Sequence, residues 1–237
     1  MEKIITYDNL RGFAYSNDKL ITGEVRGIVL NFMGLGTTLM FHEDTERDIR
    51  YAEKGLIFVT PYCNPWSWMN RRAVRYVDEI VAVLCEKYAL NTESVKIASV
   101  GGSMGGLAAL VYCAYAAITP SLCVTNCPVC DLPYHYTERP DLPRTLYSAF
   151  GEYEGTMEEA MQTCSPIHLV DRLPRIAYTV FHCEADRSVN IDKHSRRFVS
   201  EMQREHEIVL HTVPDRGHGD LTPEMWAEYD RAILSGF

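Results

Sequence analysis

The chain has 237 residues, 46% hydrophobic and 23% charged, with 23 basic side chains against 32 acidic and a net charge of −9 at pH 7. That size and balance suit one globular domain with a sizeable core. The acidic excess argues against nucleic acid as a partner, because phosphate binding needs a basic surface. No apolar run nears the ~20 residues that span a bilayer, so no membrane partner is expected.

Met1-Glu2-Lys3-Ile4-Ile5 lacks the apolar core and cleavage site of an export signal. Several of the eight cysteines sit inside apolar runs, where cysteine acts as a small hydrophobe. Together these features predict reduced thiols and a cytoplasmic location.

In chain order, Ile4-Ile5-Thr6-Tyr7 and Gly12-Phe13-Ala14-Tyr15 suggest an antiparallel edge hairpin. Residues 27–33, GIVLNFM, read as a buried strand, followed by the turn Gly34-Leu35-Gly36-Thr37-Thr38. A helix is expected over 39–54, stopped by Gly55, then a strand over 56–60 ended by Pro61. Val74, Val77, Val81, Leu84 and Tyr88 recur at helical spacing and define a helix over 71–88. Strands are expected at 95–100, 122–126, 176–181 and 208–213, with helices at 107–117, 192–205 and 223–234. The last has Thr222 as N-cap and Pro223 at its first position. This alternation implies an α/β fold, a mostly parallel sheet flanked by helices.

Residues 128–173 break the rhythm, with Pro128, Pro133, Pro140, Pro143 and Pro166, several tyrosines and no clear strand. A long insertion in a compact domain is usually functional. It reads as a cap inserted into one domain spanning 1–237.

Gly101-Gly102-Ser103-Met104-Gly105 matches G-x-S-x-G between an apolar strand and an apolar helix. In that setting the serine occupies a sharp turn that presents its hydroxyl above the sheet edge. No Gly-Lys-Ser/Thr follows, so it is not a phosphate-binding P-loop. Serine needs a base to remove its proton, and in this arrangement acid and histidine follow in chain order. Among eight histidines, His218 lies in a glycine-flanked loop between the last strand and last helix. Asp186, just past the strand ending near Phe181, is the favoured acid; Asp131 is its main rival and Glu184 a third choice. Two N–H donors must face the oxyanion of a tetrahedral intermediate. They are expected from Met104 and from Leu35, with Gly34 the alternative to Leu35.

These pieces resemble the α/β-hydrolase fold, and within it the catalytic domains of the prolyl oligopeptidase (S9) group and dienelactone-hydrolase-like esterases. The motifs that carry the resemblance are Gly101 through Gly106, Ser165-Pro166-Ile167, His182 through Val189, and Gly217-His218, within residues 25–235. The resemblance implies Ser103 as nucleophile, Asp186 as acid and His218 as base. Met33-Gly34 and His182-Cys183 stand where such families often carry His-Gly. The stretch ahead of the resemblance is too short for an oligopeptidase propeller. The expected substrate is therefore a small-molecule ester or other acyl compound. A peptidase is the alternative, with an acid such as Glu138 to hold a free amine, and a non-catalytic binding protein is a third reading.

Trp66 and Trp68, in the loop after the strand at 56–60, and Tyr134 in the insertion are candidate substrate contacts. Cys127-Pro128-Val129-Cys130 is a C-x-x-C without the second ligand pair of a zinc site, so no metal or cofactor is expected. The oligomeric state is not fixed by the residues; a homodimer is compatible with them.

Overall fold

An extended run can satisfy its backbone only beside other strands, and an apolar one must have both faces covered. In the computed structural model, which describes residues 4–237, the apolar runs form such strands. They are β1 (Ala14–Ser16), β2 (Gly27–Phe32), β3 (Leu56–Pro61), β4 (Lys96–Gly102), β5 (Leu122–Asn126), β6 (Ala177–Cys183) and β7 (Ile208–Val213). Their order is β1-β3-β2-β4-β5-β6-β7. Only β1 runs antiparallel, paired with β3 as Ala14↔Pro61 and Ser16↔Val59. The expected edge strand is therefore present, but the hairpin is not. Tyr7–Gly12 forms a 3-10 helix, and β1 pairs with β3 instead.

Side chains alternate across the sheet. Val29, Phe58, Ala98, Val100, Val124 and Phe181 face one layer, built by α1 (Glu46–Glu53) and α8 (Pro223–Leu234). Ile28, Leu30, Ile57, Ile97 and Val180 face the other. There lie α2 (Arg71–Lys87), α3 (Met104–Tyr115) and α7 (Arg197–Met202), with buried residues from each in the same core. Asn70 caps α2 by accepting from Ala73 N at 3.1 Å, and Val74, Val77, Ile80, Val81 and Leu84 are buried along it. Thr222 caps α8, with Pro223 in its first turn as expected.

Three helices differ from the sequence reading near their starts: α3 begins at Met104, three residues before the expected 107. α1 starts at Glu46 rather than near Leu39, because Thr45 and Asp48 form a capping box there: Thr45 N donates to Asp48 Oδ2 at 2.8 Å. Residues 192–196 form a π-turn before α7, with Arg196 N donating five residues back to Ile191 O at 2.9 Å.

Between β5 and β6 the insertion folds as α4 (Leu132–Glu138), α5 (Leu142–Phe150) and α6 (Met157–Gln162). Leu132, Leu142, Leu146, Phe150 and Met161 join the main core. Among the described residues no helix is long and apolar enough to cross a membrane.

The sheet order reverses between β2 and β4. The chain leaves β2 for β3 on one side and returns to β4 on the other, which opens a crevice beyond the carboxyl ends of these strands. Register Phe32↔Gly101, Gly102↔Asn126 and Asn126↔Phe181 brings the ends of β2, β4, β5 and β6 nearly level.

Asn17 secures the edge. Its buried amide accepts from Phe58 N at 2.7 Å and donates to Asp48 O at 2.8 Å. Asn17→Ala orphans several backbone groups, each costing ~1–3 kcal/mol when buried. We expect a loss of ~2–4 kcal/mol in urea unfolding with the slope m unchanged; a loss under ~0.5 kcal/mol would refute this role.

Candidate active site

Ser103 sits between β4 and α3 with φ 58° and ψ −125°, in the left-handed region a non-glycine residue enters only under constraint. The flanking glycines permit the turn. A Cβ on Gly105 would collide with the Phe32 carbonyl oxygen, and one on Gly101 with that of Gly105. The absent side chains let the end of β2 lie directly against the start of α3. Ser103 N donates to Asn126 O at 2.9 Å, and Ser103 O accepts from Val129 N at 3.3 Å.

Met104 opens α3, so its N–H has no intrahelical acceptor. Across the crevice, Gly36 N donates to Pro65 O at 3.0 Å and Thr37 N to Gly34 O at 3.3 Å. The N–H groups of Gly34 and Leu35 meet no protein acceptor among the described residues. A cavity of about 20 Å³ bordered by Met33, Gly34, Ser67, Met104 and Ala108 lies between the two turns.

The ends of β6 and β7 carry the acid and the imidazole. Glu184 N donates to Val213 O at 2.8 Å and Ala185 N to Arg216 O at 2.9 Å, which extends the pairing beyond both strands. Asp186 Oδ1 accepts from Ser188 N at 2.8 Å and Val189 N at 3.0 Å; Oδ2 meets His218 Nδ1 at 2.6 Å. Behind it, buried His182 lies with Nε2 3.4 Å from Oδ2 and 3.0 Å from Val189 O, and with Nδ1 2.6 Å from Ser195 Oγ.

Val189 O can only accept, so His182 carries its proton on Nε2 and Nδ1 accepts from Ser195. Burial pushes the Asp186 carboxyl up. Hydrogen bonds from His182, His218 and the Val189 N–H outweigh that and hold it well below the usual range. An ionised Asp186 fixes the proton of neutral His218 on Nδ1 and leaves the Nε2 lone pair free. The His218 side chain is 30% exposed. Among the described residues no hydrogen bond joins Ser103 to His218. Their turns are joined instead through Asn126, whose Nδ2 donates to Gly219 O at 3.2 Å.

The rival acids have other duties. Asp131 caps α4, accepting from Tyr134 N at 3.0 Å and pairing with Arg197 at 2.6 Å; Glu184 pairs with Arg196 at 2.9 Å. Trp68 corrects an expectation. It is fully buried, donates from Nε1 to Thr145 Oγ1 at 3.0 Å, and pins its loop to α5, so it offers no surface to a substrate. Trp66 borders a cavity of about 310 Å³ with Tyr62, Asn64 and Ser148. Tyr134 lies edge-on to His194. Cys127 and Cys130 are buried free thiols.

A second polar cluster was not legible in the sequence. Glu138 Oε2 meets His135 Nδ1 at 2.6 Å and His194 Nε2 at 2.8 Å, while Oε1 accepts from Asn190 N at 3.2 Å. Three such donors could hold a metal ion, but their protonation disfavours it. His194 Nδ1 accepts from Cys130 N and Asp131 N at 3.1 and 3.2 Å, so its proton lies on Nε2, the atom a metal would need. The cluster instead ties α4 to the π-turn. Burial raises the Glu138 carboxyl, but the two imidazoles bring it down to about 2.

The sheet with its reversal of strand order, the strained serine turn and the paired acid and imidazole place the protein in the α/β-hydrolase fold class. The family model for the prolyl oligopeptidase family matches residues 70–235, and the chain belongs to that family. It is similar to a Mycobacterium tuberculosis puromycin-hydrolyzing peptidase, with TM-score 0.68 and 18% identity over 89% of this chain and 35% of that one. Porphyromonas gingivalis dipeptidyl peptidase 4 gives 0.70 and 10% over 94% and 33%. Thermogutta terrifontis esterase 2, phosphoramylated by tabun, gives 0.58 and 16% over 92% and 86%. The chain thus spans about a third of the length of these peptidases and most of the esterase. Comparison with curated protein sequences finds no match.

The Glu138 cluster yields a pH dependence. Its folded value near 2 lies below the ordinary 4.5, so its stabilisation is fully present above about pH 4.5 and is lost as the pH falls towards 2. Glu138→Gln is expected to destabilise the protein at neutral pH in urea unfolding. The gap from wild type should narrow at pH 3; a constant gap would contradict the assignment.

Proposed function

We propose that the protein is a serine hydrolase that cleaves a carboxylic ester or another small acyl compound through an acyl-enzyme. Ser103 is the nucleophile, His218 the general base and Asp186 the acid that orients it. The carrying observation is the strained Ser103 turn beside a His218 whose Nδ1 is held by a buried carboxylate at 2.6 Å.

In this mechanism Ser103 Oγ attacks the carbonyl carbon as its proton passes to His218 Nε2. The N–H groups of Met104 and Leu35, with Gly34 alongside, stabilise the resulting oxyanion. The tetrahedral intermediate collapses, and the leaving alkoxide takes the proton from His218. Water then attacks the acyl-enzyme by the same route and restores Ser103. Substrates gain their binding energy under the 128–173 insertion, which acts as a cap, with Trp66 and Tyr134 as contacts. Catalytic hydrogen bonds often tighten only once substrate is bound, which accommodates the open Ser103–His218 contact.

Family membership favours a peptidase as the second reading. Against the aminopeptidase form of it, the Glu138 carboxylate is already engaged by two imidazoles and the Asn190 N–H, which leaves it unavailable to a substrate amine. Turnover of aminoacyl-nitroanilides with little ester hydrolysis would reverse the preference.

Ser103→Ala should lower kcat on p-nitrophenyl esters by ~10⁴–10⁶-fold and abolish labelling by a fluorophosphonate. Undiminished hydrolysis would remove Ser103 from the reaction. Asp186→Asn should lower kcat by ~10⁴-fold because the imidazole then takes the wrong tautomer. A loss below tenfold would return the acid role to another carboxylate.

A further inference from the structure

The last residue of β5 and the residue after it hold both halves of the site. Asn126 O accepts from Ser103 N at 2.9 Å, and Asn126 Nδ2 donates to Gly219 O at 3.2 Å. Cys127 Sγ accepts from Gly219 N at 3.4 Å and from Cys183 N at 3.4 Å, three residues before Asp186. Gly219, next to His218, therefore has both its backbone polar groups bound by two consecutive residues. One of these residues also anchors the nucleophile's own N–H.

The local chemistry suits positioning better than stability. Gly219 O can only accept, and besides Leu221 N at 3.1 Å it takes the Asn126 amide, which is therefore oriented with nitrogen towards it, and Oδ1 is left buried with no partner. Asn126 is 5% exposed and Cys127 fully buried. An orphaned buried acceptor is unfavourable, and an apolar residue of the same volume would avoid it. Cys127 also holds φ at 46°, a strained value for a residue with a side chain. Both features are unfavourable locally, yet both serve the contact with the His218 loop.

We infer that Asn126 and Cys127 form a clamp that sets the distance and angle between the Ser103 hydroxyl and the His218 imidazole. The inference rests on the serine-hydrolase reading above. The two are positioning residues; neither touches the reacting atoms.

The test is Asn126→Leu, with Cys127→Ala as a second variant should the first not fold, in the full chain. Four readouts apply: kcat and KM on p-nitrophenyl butyrate, fluorophosphonate labelling rate, thermal midpoint, and hydrogen exchange of the 214–220 loop. The expected result is a kcat lower by ~10–100-fold, with KM within about twofold. Labelling should be slower in proportion, loop exchange faster and the midpoint unchanged or raised. Unchanged loop exchange, a kcat within about threefold of wild type, or a fall in midpoint that tracks the loss would overturn the clamp while leaving Ser103 as nucleophile. Wild-type protein inert to both ester and fluorophosphonate would instead overturn the serine-hydrolase reading, and the clamp with it.

Discussion

A carboxylate taken out of water must find donors or give up its charge, and Asp186 shows what that constraint builds. Its side chain is fully buried, and its four contacts come from its own loop, from His182 behind it and from His218 at the end of the next strand. Satisfying them fixes the fold of the loop after β6, joins it to the loop after β7 and decides which nitrogen of His218 bears the proton. Deleting the charge would therefore loosen two loops and one tautomer together. That is why the imidazole can be partly open to solvent and still held in one orientation.

The sheet delivers this pair to the right place. Parallel register brings the ends of β2, β4, β5 and β6 nearly level, so every loop beyond them faces one crevice. The insertion packs as part of the core, not as a loosely attached segment. Its leucines pack with α2 and α3 in one cluster. Polar pins fasten it further: Trp68 to Thr145, Asn70 Nδ2 to Ala149 O at 2.8 Å, and Glu138 to the π-turn. A segment held by both apolar packing and hydrogen bonds keeps a defined shape.

Much of this was legible from local patterns. Apolar runs marked the strands, and Thr222 marked a helix start because a cap and its helix are adjacent in sequence. Ser103 and His218 stood out through their glycine neighbours, and Asp186 through its place past a strand. What stayed hidden depends on pairs far apart in the chain. Asn126 meets Gly219 across 93 positions and Glu138 meets His194 across 56, and no periodicity signals either. The apolar letters at Leu39, Met40 and Phe41 suggested an early helix. The structure leaves them exposed, because the capping chemistry of Thr45 decides where α1 begins. Trp68 was visible as a loop aromatic, but only the fold shows its indole turned into the core.

Backbone strain marks the same edge independently. Six non-glycine residues among those described have positive φ: Trp68, Met69, Ala89, Ser103, Cys127 and Asp215. Only Ala89, at the end of α2, lies away from the loops that follow β3, β4, β5 and β7. Such conformations cost ~1–3 kcal/mol each and persist only where surrounding contacts over-determine them. A sheet built for stability alone would place glycine at these turns. Here two of the strained residues carry side chains that fasten these loops: a thiol that accepts two N–H groups and an indole that pins the insertion. The cost is concentrated where the strand ends converge, and hydrogen bonds across strands, such as those of Asn126, offset it. The distribution of strain and the convergence of polar side chains thus point to one edge of the sheet, and of the strained residues there only Ser103 belongs to the serine motif.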